Sequence, residues 1–389
     1  LFVIAIAGSL AAFIRFNQAG AVLSEPFNYI EDSAPLTNFL YRLFRQQHED
    51  MVLPRTLRGH DPTAEPACEP CTVFFRNLHE TRKDYLNPVE FSGLKKAATD
   101  GWPIYCLLIE SPWSPDGKRA IWADDRVETH RILVGRPLFS NGSMGRGTRG
   151  FVGWDLDADR VVFVKDSWRA DGDESRSAEL DTHIPTVLGG GDVKSDPSRS
   201  DDPQCTAAQK LNDVASAPGV VVRIHYRIVI KQIGRRLKDF EHTVELVIGV
   251  YDALLGHQRA WVKCKILHRD VSINNILLLG TGADCRGLLC DWDLAQTEEQ
   301  LNDYETTQGL RLGTWQTMSA LLQQYASKRH QLSDDLESFL HILTYSALRY
   351  FAPTGDGVNV QGIARKMHEH FNVTTTRGLS EVPDGVPWA

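Results

Sequence analysis

Asp270, Asn275 and Asp291 carry the residue types that an in-line phosphoryl transfer requires. Such a transfer needs a carboxylate beside the attacking hydroxyl and oxygen ligands for the divalent cation that offsets phosphate charge. Asp270 begins a D-x-x-x-x-N string that ends at Asn275, and Asp291 follows sixteen residues later, after the apolar pair Leu288-Leu289. The spacing lets Asp270 orient the hydroxyl and accept its proton, while Asn275 and Asp291 hold Mg²⁺. His268 and Arg269 precede Asp270, behind the buried-type pair Ile266-Leu267, and complete H-R-D-x-x-x-x-N. A lone D-x-x-x-x-N is usually a surface loop. The whole string behind a long helical pattern is more specific.

Upstream, Gly145, Gly147 and Gly150 with Val152 spell G-x-G-x-x-G-x-V, four candidate nucleotide-binding positions. A dinucleotide-binding glycine run should open a helix. Here the β-favouring Val161-Val162-Phe163-Val164 follows a turn at Asp157-Ala158-Asp159, so the glycines belong between strands and would let backbone N–H groups approach phosphates. Lys165 ends that strand, fifteen residues after Gly150, placed to reach the α- and β-phosphates of ATP.

The elements that must position these groups follow from periodicity. Residues 1–14 are apolar but short and broken at Gly8-Ser9, which predicts a buried strand pair or strand–helix edge rather than a membrane span. Leu36–Arg45 reads as a helix, 54–70 as a proline-rich loop and Ile104–Ile109 as a buried strand. Strands are predicted over Arg131–Leu138, Thr148–Asp155, Arg160–Asp166 and Val220–Ile230, with a Gly/Asp/Ser/Pro loop over 189–204. From Phe240 the period becomes helical, and Leu336–Tyr350 is a second helix, with Asp335 at its start placed to brace the catalytic-loop backbone. The expected class is α+β: a β-rich N-lobe over 129–233, an α-helical C-lobe over 234–389, and a small α/β accessory region over 1–128.

At 389 residues the chain exceeds one average domain, and 42 % hydrophobic with 24 % charged residues suits a globular protein with a sizeable core. A formal charge of −8 argues against nucleic acid as the main partner. Seven scattered cysteines give no disulfide framework, and Cys68-x-x-Cys71 has no second pair at zinc spacing. Reduced thiols of an intracellular protein, cytoplasmic or nuclear, are the simplest reading. The first residue is Leu rather than Met, which reads as a piece of a longer chain.

Together these phrases resemble the fungal-type protein kinase domain family of mushroom-forming fungi. The matching stretches are Phe13-Ile14-Arg15-Phe16-Asn17-Gln18-Ala19-Gly20-Ala21-Val22, Gly145–Val152, Val161–Arg169, His225-Tyr226-Arg227-Ile228-Val229, the catalytic loop and Gly313–Met318. The resemblance implies a bilobal kinase fold, ATP and Mg²⁺ as cofactors, and a protein substrate with a serine or threonine hydroxyl; neither nucleic acid nor membrane is expected as a partner. It makes Asp270 the base, Lys165 the phosphate anchor, and Gly313–Met318 the peptide-positioning end of an activation segment. Thr306, Thr307 and Thr314 are candidate phosphosites, with Arg269 and Arg311 as basic partners.

Four departures stand against the ordinary kinase pattern. Ser272 replaces the lysine two residues after the catalytic aspartate, and Asp293 replaces the glycine of D-F-G; both are usual in the resembled family. Ser319-Ala320-Leu321 stands where A-P-E is expected. Only sixteen residues separate Trp168 from Pro185, leaving Glu179, with Glu174 second, as the partner of Lys165 on a short helix. A pseudokinase scaffold and a small-molecule phosphotransferase are therefore the alternatives.

Overall fold

The computed structural model describes residues 2–45, 61–112, 127–141, 146–170, 183–196, 200–206, 222–302, 313–325 and 328–350. The fold is α+β with mostly antiparallel strands. The chain divides into two compact units, Leu1–Glu174 with Val187–Ile233, and Ser175–Thr186 with Gly234–Ala389.

The first unit opens with β1 (Phe2–Ala7), β2 (Leu10–Asn17), β3 (Gly20–Leu23) and β4 (Phe27–Asn28), a small sheet in which β2 pairs with the other three. Helix α1 (Ala34–Arg45) lays Phe39 against Phe13, ring centroids 4.4 Å apart. The strands form, but the expected burial does not. Only Ala11 of this sheet is buried, and Ile6 is 58 % exposed. One helix cannot cover both faces of a four-stranded sheet.

A larger sheet follows, built from β5 (Ala64–Pro66), β6 (Tyr105–Pro112), β7 (Val127–Val134), β8 (Phe139–Ser140), β9 (Arg149–Asp155), β10 (Arg160–Ala170), β11 (Val187–Asp192) and β14 (Arg223–Ile230). Its order is β11-β14-β10-β9-β7-β6-β5, with β8 on β9. The hairpin of β12 (Lys194–Asp196) and β13 (Ser200–Pro203) lies beside it. Strand β6 pairs with β7 along its whole length, Tyr105↔Val134 to Pro112↔Val127, so the ladder continues across residue 128.

Two predicted loops are corrected. Residues 189–204 contain strands, because pairing with β14 overrides the turn propensity of Gly189, Gly190 and Gly191. The supposed loop over 54–70 carries β5 and, from Glu69, the start of α2 (Glu69–Thr81); its residues 54–60 lie outside the described residues. Helix α3 (Pro88–Ala97) was also not predicted, although Asn87 and Glu90 form a capping box around Pro88 at the first helical turn.

Alternation along the strands sorts their side chains onto two faces. Ile132, Val134, Phe151, Val162, Val164 and Val229 fill one core. Leu133, Val152 and Trp154 face the other way and pack with Phe75 and Leu78 of α2 and Leu94 and Ala97 of α3.

The second unit comprises β15 (Arg235–Arg236), α4 (Thr243–Cys264), β16 (Ile266–Leu267), β17 (Ile276–Leu279), β18 (Arg286–Leu289), β19 (Gln296–Thr297), α5 (Glu298–Asn302), α6 (Ala320–Gln324) and α7 (Leu332–Tyr350). Helix α7 starts four residues before the predicted Leu336. Leu246, Val250 and Ala253 of α4 pack against Ile276, Leu278 and Leu289 of the strands and Phe339 and Ile342 of α7. Lys265 closes α4 in a left-handed conformation, φ 54°, and turns the chain into β16. Among the described residues no helix is long and apolar enough to cross a membrane.

Candidate functional site

In the second unit the loop from His268 to Asn275 leaves β16 and enters β17, while β18 delivers Cys290 and Asp291 beside it. Pairing of Ile266 with Thr297 and Leu267 with Gln296 closes the base of both segments. The backbone N–H of Cys290 donates to the Asn275 carbonyl at 2.8 Å, so Asp291 follows directly on a residue tied to the loop. Asp291 takes a left-handed φ of 65°.

Asp270 is held from two sides. Asn275 Nδ2 donates to the Asp270 carbonyl at 2.8 Å and to its Oδ2 at 3.0 Å. Thr314 donates to Oδ1 from its backbone N–H and from its hydroxyl, both at 2.7 Å. The first pair fixes the Asn275 amide so that its Oδ1, the atom a hard cation needs, is turned away from Asp270. Together with the carboxylate of Asp291, that oxygen has the donor chemistry Mg²⁺ takes from proteins.

His268 is fully buried. Its Nε2–H donates to the Cys290 carbonyl at 3.0 Å, and its Nδ1 accepts the Asp270 N–H at 3.2 Å, which fixes one neutral tautomer. Burial pushes the imidazole below its ordinary pKa, consistent with that neutral form. Trp292 meets it edge-on at 4.6 Å and donates its Nε1–H to Leu289.

Asp335 lies at the centre of the support. It is fully buried, and its carboxylate accepts the backbone N–H of His268 at 2.9 Å and of Arg269 at 3.1 Å. His257 and His330 each lie 2.7 Å from the same carboxylate. Burial alone would raise its pKa, but the two imidazoles outweigh that and hold it well below the usual carboxylate range. Arg269, at a left-handed φ of 65°, is the residue these contacts restrain.

Several supporting residues were missed in the sequence. Asp334, one position before Asp335, accepts from Ser319 Oγ at 2.5 Å and pairs with Lys328 at 2.6 Å, both deep in the protein. Glu337 accepts the Ala320 N–H at 2.8 Å. These contacts anchor the Ser319-Ala320-Leu321 segment that stands in place of A-P-E. The Asp-Asp-Leu-Glu spacing was their only local signal.

Lys165 lies on β10 in the first unit, 8 % exposed, opposite Gly150 on β9 and Ile228 on β14. The next residue, Asp166, is pinned by Arg227 Nη2 at 2.7 Å, His225 Nε2 at 3.0 Å and Arg149 Nη2 at 3.0 Å. Arg227 also reaches Asp61 and Thr63, so a buried ionic cluster ties the strand down beside the lysine. Burial would raise the Asp166 pKa, yet Arg227 and His225 depress it far below the usual value.

The glycine-run residues divide. Gly147 adopts a left-handed φ of 51°. Gly150 serves packing: a side-chain carbon there would lie 2.4 Å from the Phe139 ring. Val152, expected at the nucleotide, is instead fully buried under α3, where a carbon added at Gly93 would stand 2.9 Å from its methyl group. Gly145, Glu174, Glu179, Thr306, Thr307 and Arg311 lie outside the described residues.

Residues 190–347 match the family model described as fungal protein kinase. No curated protein matches the chain. The matched stretch contains Asp270, Asn275, Asp291, Thr314 and Asp335, so the residues gathered around the loop lie within the part of the chain that is similar to fungal protein kinases.

Proposed function

We propose that the protein is an ATP- and Mg²⁺-dependent kinase that transfers the γ-phosphate to a serine or threonine hydroxyl of a protein substrate. The observation that carries this reading is the Asp270 carboxylate, restrained by Asn275 on one oxygen and Thr314 on the other. A base so held needs little reorganisation to accept a hydroxyl proton. Asn275 and Asp291 would hold Mg²⁺, which when bound offsets charge on the phosphates. Lys165 would pair with the α- and β-phosphates, its strand fixed by the cluster around Asp166. The test is incubation with γ-labelled ATP and Mg²⁺, with a serine/threonine peptide mixture in one arm and small hydroxyl compounds in the other. Phosphoserine or phosphothreonine in the peptides supports the reading. Label in small molecules alone, or in nothing, overturns it.

One observation favours a second reading, a scaffold without turnover. Val152 and its neighbours on β9 lie beneath α2 and α3, which cover the sheet face that also carries Phe163. A scaffold that still binds nucleotide gains about 2.7 kcal/mol at a hundredfold excess of Mg-ATP over Kd and transfers no label.

A further inference from the structure

We propose that Cys68 and Cys71 form a redox-active dithiol that closes to an intramolecular disulfide by exchange with a small-molecule disulfide of the glutathione type. The two sulfurs lie 2.8 Å apart. A disulfide bond of about 2.05 Å is therefore a short side-chain rotation away. No C-x-x-C partner pair is required for this chemistry, unlike the zinc site excluded on spacing.

The pair is asymmetric in the manner exchange requires. Cys68 is exposed at the N-cap of the thirteen-residue helix α2, with backbone φ −60° and ψ 158°, and its side chain makes no capping hydrogen bond. Its sulfur sits at the positive end of a helix, where a thiolate is favoured. Cys71, one turn in, is half-buried and packs against the cluster of Phe75 and Leu78. In support, the Cys71 S–H lowers the Cys68 thiol pKa, while the same contact and burial raise that of Cys71. Glu69 opposes the shift on Cys68 without reversing it.

The electron balance closes. The Cys68 thiolate attacks one sulfur of R–S–S–R, forming a mixed disulfide and releasing R–S⁻. Cys71 then loses its proton to solvent and attacks the Cys68 sulfur, displacing the second R–S⁻. The dithiol gives up two electrons and two protons, and the external disulfide becomes two thiols.

The experiment equilibrates the full chain against glutathione buffers of graded oxidation, quenches with acid, alkylates and maps the peptides. Cys68 and Cys71 are expected to leave the alkylatable pool together as one disulfide-linked peptide. In Cys71→Ser, glutathione should add to Cys68 at least about 10-fold faster than to the exposed Cys205, reflecting a larger thiolate fraction. The proposal is overturned if Cys68 in the wild-type chain reacts no faster than Cys205 and stays reduced across the series. Recovery of Cys71 joined to Cys106 instead also overturns it.

Discussion

Thr314 donates twice to one oxygen of Asp270, through its backbone N–H and through its hydroxyl, each at 2.7 Å. The residue lies 44 positions downstream, so the contact ties the Gly313–Met318 segment to the candidate base. A phosphate on the Thr314 hydroxyl would face the Asp270 carboxylate, which disfavours Thr314 as an activating phosphosite.

Thr314→Val should therefore lower kcat by about 10- to 100-fold, the equivalent of losing one hydrogen bond to a charged group. Thr314→Ser should retain most of the rate. Steady-state assays on both variants check this, and equal rates for valine and wild type contradict it.

Asp335→Ala leaves two backbone N–H groups and two imidazoles without their shared acceptor. Leaving buried donors without an acceptor costs about 1–3 kcal/mol for each group. Urea denaturation measures the loss; a shift under about 1 kcal/mol, the worth of an ordinary hydrogen bond, would show that the carboxylate does not organise the loop.

Acid should destabilise the protein in a defined direction. Burial would raise the Glu245 pKa, but the N–H groups of Glu241 and Gly282 and the Arg235 guanidinium outweigh it and hold it at about 2. A carboxyl depressed in the fold stabilises fully above its unfolded pKa of about 4.3 and loses that contribution as pH falls towards about 2. Asp335 and Asp166 act in the same sense. Urea midpoints from pH 6 downward should fall less steeply for Glu245→Gln than for wild type; identical slopes would remove Glu245 from the account.

Gly150→Ala should destabilise the first unit by about 1–3 kcal/mol through overpacking against Phe139. Phe139→Ala in the same chain should recover part of that loss. A double-mutant cycle with no coupling would contradict the packing role.

How far the sequence reveals this molecule depends on the range of each interaction. His268 to Asn275 was readable because the contacts among them are local. Thr314 on Asp270, and His257 on Asp335 across 78 positions, have no spacing signature at all. Strand existence was legible for β9, β10 and β14 from alternation, but alternation does not name partners, so the continuation of the sheet through β6 and β5 was not. Strand β11 was hidden by its glycines, whose turn propensity loses to cross-strand pairing. Helix α2 was hidden by Pro70, read as part of a loop where it marks a first helical turn, and α3, which opens on Pro88 in the same way, was not read at all.

The most direct measurement is the turnover of Asp270→Asn with γ-labelled ATP, Mg²⁺ and a peptide that the wild-type chain phosphorylates, at saturating concentrations of both substrates. Loss of the base should lower kcat by about 10²–10⁴-fold while the fold, followed by its urea midpoint, persists. A folded Asp270→Asn chain that transfers phosphate at the wild-type rate would contradict the account.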